Sequence, residues 1–126
     1  MKYLCLAYEE EDLFSRMPHQ EWLALREETL SYVETLRASG HLLQTQPLQS
    51  ARQSVLVRQR DHALITTDGP FAETREQLGG YFLIEAQDLN EAIRLAGQWP
   101  SARLGTIEVR PVEEQLREQG RYDRTY

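Results

Sequence analysis

Thr67-Asp68-Gly69-Pro70-Phe71-Ala72-Glu73-Thr74-Arg75-Glu76-Gln77-Leu78-Gly79-Gly80-Tyr81-Phe82-Leu83-Ile84-Glu85-Ala86 brings turn chemistry, a charged cluster and an apolar strand into one stretch. Gly69 has access to backbone angles closed to other residues. Pro70 fixes its own φ and biases Gly69 away from the helical region, and Asp68 has a carboxylate able to accept hydrogen bonds from the amides just ahead. A sharp, stiff corner is expected, with Phe71 plugged into the core beneath it. Glu73 to Gln77 is too short for a stable helix and suits a turn or a single helical turn. Gly79-Gly80 then admits backbone or ligand at close range. The strand that follows is apolar on both faces, the pattern of a strand covered on both sides.

Upstream, Ser54 to Thr67 alternates well enough for two short strands joined near Arg60-Asp61, with His62 exposed beside the turn. His41 to Leu48 is extended and stops at Pro47. Met1 to Tyr8 has almost no polar residue and reads as a central strand. The run Glu9-Glu10-Glu11-Asp12 that closes it is either a solvated loop or the rim of a pocket. Pro18 suits the first turn of a helix running to Ser39, with Gly40 as its stop. At about 100° per residue, Trp22, Leu23, Leu25, Leu30, Val33 and Leu36 share one broad side, with Glu27, Glu28, Ser31, Glu34 and Thr35 opposite. This predicts an amphipathic helix lying on a sheet, with Trp22 in the core and His19 solvated or capping.

Downstream, Asp88-Leu89-Asn90-Glu91 has capping-box spacing, and Leu89, Ala92, Ile93 and Ala96 follow at helical intervals until Gly97 and Pro100. In the last strand, Gly105 to Val112, Ile107 and Val109 face one way and Thr106, Glu108 and Arg110 the other. The order strand, helix, strand, hairpin strands, helix, strand gives an α+β fold, a ferredoxin-like split β-α-β plan with an inserted hairpin. Leu4, Leu6, Phe82, Leu83, Ile84, Ile107 and Val109 cannot all point at two helices, so a second copy is expected to pack sheet to sheet as a homodimer.

At 126 residues and a formal charge of −6, the chain suits one ordinary domain and opposes unaided binding to nucleic acid. Arg52, Arg58 and Arg60 alternate along a strand-like run and read as a solvated face. The single cysteine, Cys5, lies in an apolar run and reads as a small buried hydrophobe. Neither a leader nor a membrane-spanning run is visible, so a cytoplasmic protein is expected. Metal-ligand spacings and phosphate-binding glycine loops are absent, and no cofactor is expected.

What remains for chemistry is carboxylates and arginines in or beside apolar strands. Asp68 is either a turn-fixing carboxylate or a base. Glu108 and Arg110 share a strand face about 7 Å apart at Cα, as an ion pair or as an acid–base site. Arg75 is placed to hold Glu73 or Asp68, or to clamp an anionic ligand. The candidates are thus Asp68 and Glu108 for moving a proton, and Glu73, Arg75, Glu76 and Arg110 for binding a small polar ligand in a cleft between the sheet and the Asp68 to Glu76 segment. Tyr8 and Tyr81 are hydroxyl donors or core aromatics.

Asp68-Gly69-Pro70-Phe71-Ala72-Glu73, continued by Arg75-Glu76-Gln77-Leu78-Gly79-Gly80-Tyr81, resembles the DGPF group of the YCII-related proteins. The likeness extends through Asp88 to Ile93, Pro100 and Glu108-Val109-Arg110-Pro111-Val112, giving a YCII-related unit over residues 1–112 and a polar tail, frayed or mobile, over residues 113–126. The resemblance implies a dimeric α/β barrel, a bacterial source and, for some relatives, a genomic link to sigma factors. The alternative to a ligand-binding protein is therefore a non-enzymatic module with such a regulatory partner. The group commonly has lysine where Arg75 stands. Other family members carry a His-Asp pair on the first helix, proposed as catalytic in dehydrochlorination or isomerisation. Those positions hold Thr29 and Ala38 here, so that chemistry does not transfer.

Overall fold

The computed structural model describes residues 1–118 and 120–122. Strand β1 (Lys2–Glu9) is followed by a short helix α1 (Glu11–Ser15) and a long helix α2 (His19–Ala38). Strands β2 (Leu42–Pro47), β3 (Val55–Arg60), β4 (Ala63–Asp68) and β5 (Gln77–Glu85) come next. A 3-10 turn at Ala51–Gln53 precedes β3, and helix α3 (Leu89–Gly97), a second 3-10 turn at Pro100–Arg103 and strand β6 (Thr106–Pro111) complete the described elements. The acidic run after β1 is thus partly helical, where a loop was one of the two expectations.

Four strands form an antiparallel sheet in the order β2-β5-β1-β6, which places the apolar β1 at its centre. This is a mixed α+β arrangement, and its order is that of a split β-α-β plan. The alternation of side chains resolves the surplus of apolar strand residues. Tyr3, Cys5, Phe82 and Ile84 are buried under the helices with Val33 and Leu36 of α2 and Ala92, Leu95 and Ala96 of α3, and Ile107 and Val109 pack against them. Leu4 pairs with Leu83 and Leu6 with Tyr81 on the opposite face, where all four are half-buried.

The helix ends follow their local chemistry. Gly40 takes a left-handed φ of 80° just beyond α2, where a side chain would be strained. At α3 the Asp88 carboxylate accepts from the Glu91 amide at 2.9 Å, while the Glu91 carboxylate accepts from the Gln87 amide at 3.0 Å. The buried face of α3 is Ala92, Leu95 and Ala96, whereas Leu89 and Ile93 are exposed. The expected apolar set was therefore rotated from the true one, because small alanines let this helix sit close to the sheet.

Three further expectations change. Only the C-terminal half of α2 packs down: Val33 and Leu36 are buried, while Trp22, Leu23 and Leu30 are exposed. Phe71 does not plug the core, being 81% exposed. Glu73 to Gln77 forms no helical turn: Arg75 and Glu76 are bends and Gln77 already begins β5. The corner itself is real, but Gly69 does not use a left-handed angle. Its peptide to Pro70 is cis, its amide donates to the Ser54 carbonyl at 2.9 Å, and a β-carbon there would run into the Ser54 side chain. Close approach, not torsional freedom, demands glycine at that position. Residues 119 and 123–126 of the expected tail lie outside the described residues.

Phe82 is fully buried and stacks face to face on Trp99, with ring centroids 4.0 Å apart. Phe82→Ala should cost about 3–5 kcal/mol of stability. Chemical denaturation measures this, and a loss under about 1 kcal/mol would mean that the stack is not central to the core.

Candidate functional site

The overhang of α2 leaves a cavity of about 760 Å³ between its inner side and one end of the main sheet. Glu9, at the end of β1, lies on its wall, with Phe14 of α1, Trp22 and Arg26 of α2, and Tyr81 and Trp99 from the far side. The notable polar group is Glu9. Glu10 accepts from the Arg75 guanidinium at 3.1 Å, and Glu11 accepts from the Ala51 amide at 3.2 Å. Glu9 has no hydrogen-bond or ion-pair partner among the described residues, although it is only partly exposed. Burial, helped by the nearby Glu11 charge, raises its pKa above the ordinary carboxylate value.

Gly79 makes room for this side chain. A β-carbon at Gly79 would overlap the Glu9 carboxylate, and one at Gly80 would press on the Gln46 carbonyl oxygen of β2 at 3.0 Å. The glycine pair therefore serves close approach twice, once to a carboxylate and once to backbone. Thr29 also lines the cavity, with its hydroxyl donated to the Leu25 carbonyl at 2.8 Å. Arg26 is on the rim, with one weak contact to Glu27 at 3.4 Å.

None of the six candidates read from the sequence lines this cavity. Asp68 ends β4 opposite Val55, exposed, and its carboxylate accepts no hydrogen bond among the described residues. Glu73 is exposed and Glu76 half-buried, and Arg75 reaches Glu10 rather than Glu73 or Asp68. Glu108 and Arg110 do come together, at 2.6 Å, on the sheet face away from the helices. The Tyr8 hydroxyl donates to the same carboxylate at 3.1 Å. The Arg110 hydrogen bond, then that of Tyr8, holds Glu108 below the usual carboxylate range. Burial, then the hydrogen bond to Glu108, raises Tyr8. Among the described residues no cluster of His, Cys, Asp and Glu suits a metal ion, and no helix is long and apolar enough to cross a membrane.

Sequence reasoning passed over Trp22, Arg26 and the individual role of Glu9. A signal was available in the apolar residues of the first turns of α2, which exceed what the short sheet can cover, next to an acidic strand end.

The chain is thus a mixed α+β fold with a cavity between helix and sheet. Residues 1–115 match the YCII-related domain, and the chain belongs to that family. It is 31% identical over 114 residues to an uncharacterized protein of Rhizobium meliloti (strain 1021), covering 89% of this chain and 92% of that protein. Its fold is similar to that of a 5-chloro-2-hydroxyhydroquinone dehydrochlorinase from Burkholderia phenoliruptrix AC1100, solved with 2,5-dihydroxybenzoquinone. There the TM-score is 0.52 at 15% identity, over 91% of this chain and 96% of that one.

A raised folded-state pKa means that ionising Glu9 costs stability as pH rises from about 4.3, the unfolded value, through its higher folded value. Below that window the group is neutral in both states and the cost vanishes. Glu9→Gln should therefore melt at the wild-type temperature near pH 4 and above it at pH 7. A variant less stable than wild type at pH 7 would contradict the unpartnered state of Glu9.

Proposed function

We propose that this chain binds a small ring-bearing molecule in the cavity between α2 and the sheet, and that Glu9 exchanges a proton with it. The observation that carries this reading is a partly buried carboxylate on a cavity wall without a partner of its own. Its neighbours in the acidic run are both engaged. Burial moves its pKa toward neutrality, the direction that suits a group which both takes and gives a proton. Phe14, Trp22 and Trp99 offer aromatic surface to a flat ring, and the Arg26 guanidinium on the rim would steady negative charge left when a proton moves to Glu9. The dehydrochlorinase that shares the fold was solved with a flat, dihydroxylated ring, which is in keeping with this ligand class.

Asp68 and Glu108 suit the proton-moving role less well. Asp68 is open to water, and Arg110 and Tyr8 keep Glu108 ionised and occupied. Arg75 retains a place near the site, since it grips the residue next to Glu9. We further propose that the chain works as a homodimer. The half-exposed Leu4, Leu6, Tyr81 and Leu83 on the open sheet face support it, because water is a poor partner for such a surface.

A panel of hydroxylated and carboxylated aromatic rings, read by thermal shift and calorimetry, should yield binders. Trp22→Ala should weaken them at least tenfold while the fold holds, since Trp22 is 40% exposed. For a ligand that is turned over, Glu9→Gln should lower kcat by about 10²–10⁴. Full turnover in that variant would remove Glu9 from the chemistry.

A further inference from the structure

We infer that the ligand of the α2 cavity is long: its ring carries a hydrocarbon chain that lies along α2 as far as Leu30. The inference rests on the ring-binding reading given above and adds the shape and polarity of the molecule. A single aromatic ring fills a cavity of roughly 150 Å³. This one measures about 760 Å³. Trp22, Leu25, Thr29 and Val33 recur at three- and four-residue steps along its wall, with Leu30 beside them. Trp22 and Leu30 stand about 12 Å apart along the helix axis, by the rise per residue. They are 40% and 45% exposed, so both need cover. One ring cannot reach both.

The polar side chains along this strip are engaged within the protein, which selects hydrocarbon as what lies there. Thr29 donates its hydroxyl to the Leu25 carbonyl at 2.8 Å, and Thr45 of β2 donates to the Tyr81 carbonyl at 2.9 Å, so neither hydroxyl proton is free. Farther along the wall, Arg37 and Glu34 pair with each other at 2.9 Å. The other charged groups on the wall are Glu9, without a partner among the described residues, and Arg26, with its 3.4 Å contact to Glu27. Gln46 and Ser101 add neutral groups on β2 and on the second 3-10 turn, off the helix. Polar recognition is therefore concentrated toward the start of α2. Arg26 is one turn past Trp22, and Glu9 ends β1, from which the chain passes through α1 straight into α2. A ligand that fits is polar at its ring and apolar at its other end. Methylenes laid over Leu30 remove apolar surface from water on both partners, a gain that a hydrated arm lacks.

Calorimetric titration of the full chain with para-hydroxybenzoate esters, from methyl to hexyl, tests this. Affinity should rise roughly two- to fourfold per added methylene and level off once the chain passes Leu30. Leu30→Asn should cut the hexyl-to-methyl affinity ratio by about fivefold or more. Leu30 is 45% exposed, so the fold, checked by circular dichroism, should hold. Should the asparagine variant misfold, Leu30→Ala should lower the ratio in the same direction. Esters that bind with one affinity at every chain length would overturn the hydrocarbon chain and leave the ring-binding reading intact. Octanoate that binds as tightly as the hexyl ester, and is weakened by Leu30→Asn, would keep the chain and remove the ring. A length dependence unchanged in both Leu30 variants would put the chain elsewhere and overturn the inference. It also falls if Leu30→Asn alters the sedimentation of the free protein, for the strip would then belong to another polypeptide. No binding by any ester, or by any ring of the panel above, would overturn both readings.

Discussion

The stack of Phe82 on Trp99 is the contact on which the remaining geometry depends. It fastens the middle of β5 to the chain segment that follows α3, and Tyr32 of α2 meets the edge of the same indole at 6.2 Å. The Tyr32 hydroxyl donates to the Leu95 carbonyl of α3 at 2.6 Å. A few residues on, Arg103 forms two hydrogen bonds to Glu28 of α2, at 2.7 and 2.8 Å. One aromatic cluster and one exposed ion pair thus fix α2 at two heights. The ion pair contributes little energy, being solvated, but it sets the angle. Where these ties run out, toward Trp22, the helix stands clear of the sheet and the cavity begins.

Much of this was legible in the chain. Strong periodicity and local stop signals located the strands and both longer helices, because such signals act within a few residues. The turn of the hairpin and the Asp88 cap were readable for the same reason. Phe71 and Trp22 show the limit: an apolar side chain announces that it needs cover, not where the cover comes from. The rotated face of α3 teaches a related lesson, since the small Ala92 and Ala96 face the sheet while the larger Leu89 and Ile93 stay exposed.

The candidate site followed a different rule. Charged residues in the Asp68 to Glu76 segment looked informative because they stood beside strong turn chemistry. Glu9 was one of four acids that read together as a solvated loop or the rim of a pocket, with nothing to single it out. What separates it from its neighbours is long-range: Arg75 and the Ala51 amide claim Glu10 and Glu11, across 65 and 40 residues of sequence, and leave Glu9 to the cavity. No local pattern encodes such an assignment. The Glu108–Arg110 pair, two residues apart on one strand, was visible in advance because its geometry is local.

The two tethers of the acidic run have a mechanical meaning. Ala51 stands before β3 and Arg75 just before β5, so the segments on either side of the β3–β4 hairpin are anchored within two residues of Glu9. A force applied to the hairpin would be felt first at these anchor points, on the strand end that carries the free carboxylate.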